Sequence, residues 1–369
     1  MTKRGVILII CLLVVIALAG ASIIIFSQGV NESRFVRRHS DSTKAFWVAE
    51  AGIEKIKAQI IQDWNNRNPI ADLFGNGVYF AVADSTDSYG NPLPLHHLRF
   101  YCGGSMGTST RIVESVIESV PQGTFEYAVA AQKLIELRTG VTVHGNIYVN
   151  GDIEVQAGAG IVKEDDSVNP VDPNAYDADV FYTGNNLGIS GTVEGNVSQT
   201  AEVIPVPTYD WNEVKNNADF VLNNNANLNG ILADGVYYIK GDVQLNNVTL
   251  NNGAIISEGK MEINGSFNLN TPKGGIPALA NQSGTIEVDG VAQVHGLIYC
   301  AGDSIELKTG TIMHVYGSVV AASDAAELKT LGGATIDVYY KPEYIAGQPN
   351  STLKILSWRE LQNPYRLAP

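Results

Sequence analysis

The sequence predicts an α+β protein: one long N-terminal helix with a membrane-spanning half, a small antiparallel sheet, and then a mostly-β solenoid in which most of the chain resides. Three observations carry this. Val6 to Phe26 is a run of 21 residues without a charge. A helical period continues beyond that run, with no proline before Pro69. From Gly123 onward, short segments of alternating apolar residues recur between glycine and asparagine corners.

The apolar run comes first. At about 1.5 Å rise per residue it matches a hydrocarbon core of about 30 Å. Past Asn31 the chain turns polar, yet Phe46, Ala49, Ile53, Ile56, Ile60 and Trp64 keep a spacing of three or four. Arg38, Asp41, Lys44, Lys55, Lys57 and Asp63 fill positions between them, as on the wet side of a helix. If the halves join, the helix is on the order of 90 Å long. A cleaved secretory signal competes, since Ala17-Leu18-Ala19 has the small-x-small form of a cleavage site, but the run exceeds the usual signal core. A plain single-pass anchor is the second reading. The third is a helix that packs into a bundle of identical or related helices once a short basic leader is removed.

Lys3-Arg4-Gly5 followed by Val6-Ile7-Leu8-Ile9-Ile10 resembles the leader and start of type IV pilin-like proteins. Ala45-Phe46-Trp47-Val48-Ala49-Glu50-Ala51-Gly52-Ile53-Glu54 is similar to the Ala-Phe-x-x-Ala-Glu-Ala-Gly-Ile-Glu signature that ends the N-terminal module of PilX-type minor pilins, with Phe46, Glu50, Gly52 and Glu54 in the matching positions. The resemblance covers residues 1–65 and favours the third reading. It implies a leader of residues 1–5 removed by a prepilin peptidase after Gly5, N-methylation of Val6, and incorporation into a pilus or pseudopilus with Ile10, Val14 and Leu18 in the filament core. One departure stands at Ile10, where major pilins carry a glutamate that pairs with a neighbouring subunit's free amine. A subunit without it is easier to place at a tip or initiation position, because an uncompensated amine in lipid is costly.

Charge divides unevenly. Residues 1–60 hold eight Lys or Arg against four Asp or Glu, so a chain of net charge −14 has a basic helix and an acidic body. An acidic body poor in arginine excludes phosphate-backbone binding as a leading role, and no nucleic-acid partner is expected. Lys3 and Arg4 precede the span and Arg34, Arg37 and Arg38 follow it, which leaves the positive-inside rule undecided. The pilin resemblance places the N-terminus inside. Cys11 lies in the span, and Cys102 and Cys300, in different regions, are expected as two separately buried thiols rather than a disulfide.

After the helix (residues 6–65), residues 66–122 read as the small sheet. Asn65 to Gly77 reads as an irregular break, followed by strands at Val78–Val82, Leu98–Tyr101 and Thr110–Glu118. Ser109-Thr110-Arg111-Ile112-Val113-Glu114 also resembles the Thr-Arg-x-Val-Glu strand that often follows the PilX-type module. Residues 123–340 then repeat. Ile135-Glu136-Leu137-Arg138-Thr139-Gly140 returns as Ile305-Glu306-Leu307-Lys308-Thr309-Gly310, with an echo at Glu327-Leu328-Lys329-Thr330. Val143-His144-Gly145 returns as Val294-His295-Gly296, with a variant at Val315-Tyr316-Gly317. Glycine spacings such as Gly241 to Gly265 and Gly296 to Gly317 predict rungs of 21 to 25 residues. A β-sandwich is the alternative. A helix is expected over Tyr209–Val221 as an insertion or cap, along with the Asp/Pro-rich loop 163–179. The run Asn223 to Asn229 reads as a loop in preference to an asparagine ladder. The tail, residues 341–369, either covers the last rung or folds back on the body.

No catalytic residue, cofactor or metal site is expected. A β-helix raises the question of a polysaccharide lyase, but no arginine occurs between Thr139 and Trp358 to take or neutralise charge. Paired carboxylates across rungs escape a sequence reading. His144, His295 and His314 fall on outward positions and read as exposed strand histidines rather than metal ligands, and His96-His97 as a loop. Glu164-Asp165-Asp166 with Asp172, Asp177 and Asp179 reads as a solvated acidic loop before a calcium site.

The chain is therefore expected to be a minor pilin-like subunit, an inner-membrane single-pass precursor with its C-terminal region periplasmic and then extracellular in the filament. Its expected partners are other pilin subunits, the assembly machinery and the prepilin peptidase, with an extracellular surface or glycan as ligand of the solenoid. The rivals are a membrane-anchored β-helix that binds or cleaves carbohydrate, and a bactofilin-like cytoskeletal polymer.

Overall fold

The structure is a computed structural model that describes residues 3–94, 96–163, 178–323, 327–349 and 351–361, with side chains from Val14 onward. Helix α1 (Lys3–Gln62) runs unbroken through both halves, so its 60 residues span about 90 Å. Ser22 and Thr43, polar residues that interrupt the helical pattern, donate their hydroxyls back to the carbonyls of Leu18 and His39.

The second half of α1 lies on an antiparallel sheet of β1 (Ile70–Phe74), β2 (Gly77–Asp84), β3 (His97–Met106) and β4 (Ser109–Val120). One expectation changes here, and the tail takes the second of its two expected courses. The stretch from Asn65 to Gly77 holds β1, because Gly75 at φ +62° closes a tight turn that pairs Phe74 with Gly77. The C-terminal segment returns to this sheet: strand Thr352–Leu361 pairs antiparallel with β4, from Thr352 beside Val120 to Leu361 beside Ile112. The first and last described strands of the chain thus share one sheet.

Between them stands a β-solenoid of about nine turns, whose strands pair in parallel. Its rungs are shorter and more variable than glycine spacing suggests. Val180 sits beside Val197, 17 residues on, and Gly235 beside Gly253, 18 on, whereas Met261 sits beside Ile286, 25 on. Alternation is regular: Val141–His144 and Ser304–Leu307 turn their apolar residues inward, as expected.

The rungs are not stacked in chain order. Val319, Leu328 and Val338 of the last-formed rung pair with Val129, Ile135 and Val143 of the first. The chain builds outward from Val129 to Gln199, crosses back along the stack, restarts at Phe220 and returns to its own first rung. The repeats are explained by this closure. Ile305, Leu328 and Ile135 are consecutive positions in one column, and so are Val294, Val315, Val338 and Val143.

The returning segment, residues 200–218, covers one face of the stack. There the strands are buried on both sides, as in Ile147–Val149 and Leu279–Asn281. Tyr299 donates its hydroxyl to the Pro207 carbonyl at 2.8 Å, and the Tyr148 hydroxyl donates to Glu202 O and accepts from the Ile204 amide. The helix expected over Tyr209–Val221 is only α2 (Trp211–Asn216): Asp210 caps its first turn, Asn217 ends it, and Phe220–Leu222 is already a strand. The asparagine run is divided: Asn223–Asn225 form the bend that was expected, while Asn227 and Asn229 belong to a strand and an asparagine ladder. Ala226–Ile231 is a strand, and Asn227 Oδ1 accepts from Asn246 Nδ2 of the next rung at 2.8 Å.

Candidate functional site

From Val14 to Phe26 every side chain of α1 is exposed, with Val14 at 51% and Phe26 at 75%. Each large apolar side chain left in water forgoes about 1.5–3 kcal/mol, so burial in lipid or against other helices would stabilise this stretch of the rod. Val14 and Leu18 both belong to this exposed stretch, whereas Gly5, Val6 and Ile10 are helical but their side chains lie outside the described residues.

The other half is held close to its sheet. Ala45, Ala49, Ile53, Ile56 and Ile60 form the buried seam. Small residues are needed there: a Cβ on Gly52 would meet Cys102 Sγ at 2.3 Å, and one on Gly104 of β3 would meet Ala45 O and Ala49 N at 2.3 Å each. The signature residues divide by role. Gly52 permits the close approach. Glu50 accepts a 2.8 Å hydrogen bond from Trp358 Nε1 of the C-terminal strand. Phe46, expected in the seam, sits at its edge with its ring 5.8 Å from that of Trp358. Glu54 pairs with Lys57, on the exposed side. In the Thr-Arg-x-Val-Glu segment, Arg111 donates to Ser42 Oγ and to Glu360 Oε1, and buried Glu114 pairs with Arg359. Sequence alone tied neither to the C-terminal strand.

Trp64 joins the helix to the solenoid. It is 3% exposed and wedged where a Cβ on Gly347 would meet its own Cβ at 2.3 Å and a Cβ on Gly274 its Cδ1 at 2.4 Å. A cleft of about 430 Å³ adjoins it, lined by Tyr209, Glu213, Lys273 and Gln348 among others.

Two solenoid faces remain open. On one, Gln244, Glu262, Glu287, Glu306, Lys329 and Glu136 stack in register. Glutamates at the strand spacing repel, and lysines from alternate rungs offset this: Lys260 bridges Glu262 and Glu287 at 2.7 and 2.9 Å, and Lys308 bridges Glu287 and Glu306 at 3.5 Å each. Hydrogen bonds from Lys133 and Lys329 hold the Glu327 carboxyl below its usual range. On the other face, Asn268, Gln293, His314, Asp337 and Thr142 form one column. His295, Tyr316, Tyr339 and His144 stack beside it at centroid spacings of 4.8, 5.2 and 4.2 Å.

The histidines read as outward are therefore ladder members. His144 and His295 are separated by two tyrosines, and His314 pairs with Asp337 at 3.1 Å, so these three do not converge on an ion. Burial pushes His144 below the ordinary imidazole range. Of the acidic loop, Glu164, Asp165, Asp166, Asp172 and Asp177 lie outside the described residues, and Asp179 pins a corner by accepting from the Asn196 amide. His96 and His97, read as a loop, are in fact packed ring to ring beside Glu118, with His97 opening β3. Cys102 and Cys300 are both buried free thiols.

No family model and no curated protein matches the chain. Among solved structures, the competence-associated pilin ComZ from Thermus thermophilus is similar at 15% identity and a TM-score of 0.40, covering 87% of this chain and 98% of its own. An ice binding protein from an Antarctic Biological Consortium is similar at 12% identity and a TM-score of 0.30, covering 59% and 92%. The ice-binding protein of the Antarctic ascomycete Antarctomyces psychrotrophicus gives 10% identity and 0.25, covering 60% and 98%. At these scores the likeness carries no functional argument.

Proposed function

We propose that the chain is a minor pilin-like structural subunit of a type IV pilus or related filament. A prepilin peptidase cleaves after Gly5, Val6 becomes the methylated N-terminus, and Val6 to Phe26 packs in the filament core with Ile10, Val14 and Leu18 among its contacts. The solenoid is displayed outside, where it serves assembly or adhesion to a surface or glycan. The observation that supports this best is a single unbroken helix that carries no charge from Val6 to Phe26, is bare from Val14 to Phe26, and is seated on an antiparallel sheet along its second half. A plain anchor needs only the first half. The PilX-like signature falls on the second, where Gly52 sets the helix-to-sheet distance and Glu50 holds the C-terminal strand.

The test is processing. In cells that carry a prepilin peptidase, the wild-type chain should migrate as the mature form and Gly5→Val should accumulate as an uncleaved precursor absent from sheared filaments. Equal mobility of the two chains would count against the proposal.

A further inference from the structure

We propose that His96, His97 and Glu118 form a binding site for a divalent transition metal, with Zn²⁺ as the best-suited ion. Neighbouring strand residues point to opposite faces. His96, however, occupies the turn before β3, and its ring comes back to 4.2 Å from that of His97. His97 is paired in register with Glu118 of β4, and His96 Nε2 lies 3.6 Å from Glu118 Oε1. One donor atom from each of the three residues lies within 4.8 Å of the other two. Donors around a tetrahedral zinc, at about 2.0–2.2 Å from the ion, sit roughly 3.3 Å apart, so side-chain rotation of about 1 Å closes the set.

The backbone under the site is fixed. The Ser119 amide donates to His96 O at 2.8 Å and the His97 amide to Pro94 O at 2.9 Å. Glu118 Oε2 is 3.5 Å from Lys354 Nζ on the C-terminal strand, which leaves Oε1 turned to the imidazoles and supplies an outer contact that orients the carboxylate. Two imidazoles and one carboxylate suit Zn²⁺, Ni²⁺ or Cu²⁺, whereas Ca²⁺ and Mg²⁺ take all-oxygen sets. All three side chains are partly exposed, so water completes the coordination. The ion would clip the turn before β3 to β4 and, through Lys354, to the strand that closes the sheet.

The experiment uses the full chain in detergent, without a histidine tag, stripped with EDTA and titrated with ZnCl₂ and separately with CoCl₂. About one Zn²⁺ per chain should be retained, the melting temperature should rise, and Co²⁺ should give visible d–d bands. His97→Asn and Glu118→Gln, the latter nearly isosteric, should each weaken Zn²⁺ binding at least tenfold while keeping the circular dichroism of the wild type. Zinc should also protect His96 and His97 of the unsubstituted chain from diethyl pyrocarbonate, a reading that needs no variant. A wild-type chain that retains no zinc, or zinc that binds both folded variants as tightly as the wild type, would overturn the site.

Discussion

Gly52 and Gly104 decide how near the helix can lie to its sheet, and both act by lacking a Cβ. Gly52→Val drives carbon into Cys102 Sγ and the Tyr79 ring, so it should destabilise the helix–sheet unit by about 1–3 kcal/mol, read as a lowered denaturation midpoint. The signature's glycine was visible in the sequence, but its reason was not, because Cys102 meets it only after the chain has passed through β1, β2 and half of β3. Burial pushes the Cys102 thiol up to about 12 and the Cys300 thiol up to about 11. Since the thiolate is the reactive form, iodoacetamide at pH 8 should modify neither residue in the folded chain and both after unfolding, as read by peptide mapping.

At the scale of elements, the long helix, the sheet strands and the solenoid's alternation were legible because each follows a local period. The rung order was not, since pairing of Val319 with Val129 leaves no local trace. The duplicated Ile-Glu-Leu and Val-His-Gly segments flank that join and were its one visible sign. The segment around α2 was expected as an insertion or cap, but the pattern did not show which face residues 200–218 cover, nor that Tyr148 and Tyr299 are buried beneath them. Corner glycines stack with the rungs: a Cβ on Gly317 (φ +152°) would meet Gly296 O at 2.1 Å. Gly317→Ala should therefore lower the solenoid's melting temperature, by more than the roughly 1 kcal/mol gain that Ala gives at an unstrained glycine could offset. Glutamates in and beside this column make stability depend on pH. Glu327 and Glu262 are held below the ordinary carboxylate range by hydrogen bonds from their lysines, so the unfolded chain takes up their protons at a higher pH than the folded one. Their stabilisation is complete above the ordinary glutamate range, near pH 4.3, and is lost as pH falls through the lowered folded values. The melting temperature should drop on acidification below about pH 4.3, and less steeply in a Glu327→Gln, Glu262→Gln double variant.

The whole molecule is a rod, a sheet and a stack, joined among other places at the C-terminal strand and at Trp64. Strand Thr352–Leu361 returns to the sheet that the first strands began, and Trp64 wedges between Gly274 and Gly347 at the stack's side. Trp64→Ala should cost about 3–5 kcal/mol and open the joint to proteolysis near Asn65, with the solenoid itself left resistant. The proposed filament role rests on the rod's apolar half, and the most direct test is made where that half begins. Filaments sheared from producing cells are purified, and the mass of this chain's N-terminal peptide is measured. The peptide should begin at Val6 and carry one added methyl group. Absence of the chain from the filaments, with Arg4-Gly5-Val6 still intact in the membrane fraction, would contradict the filament role.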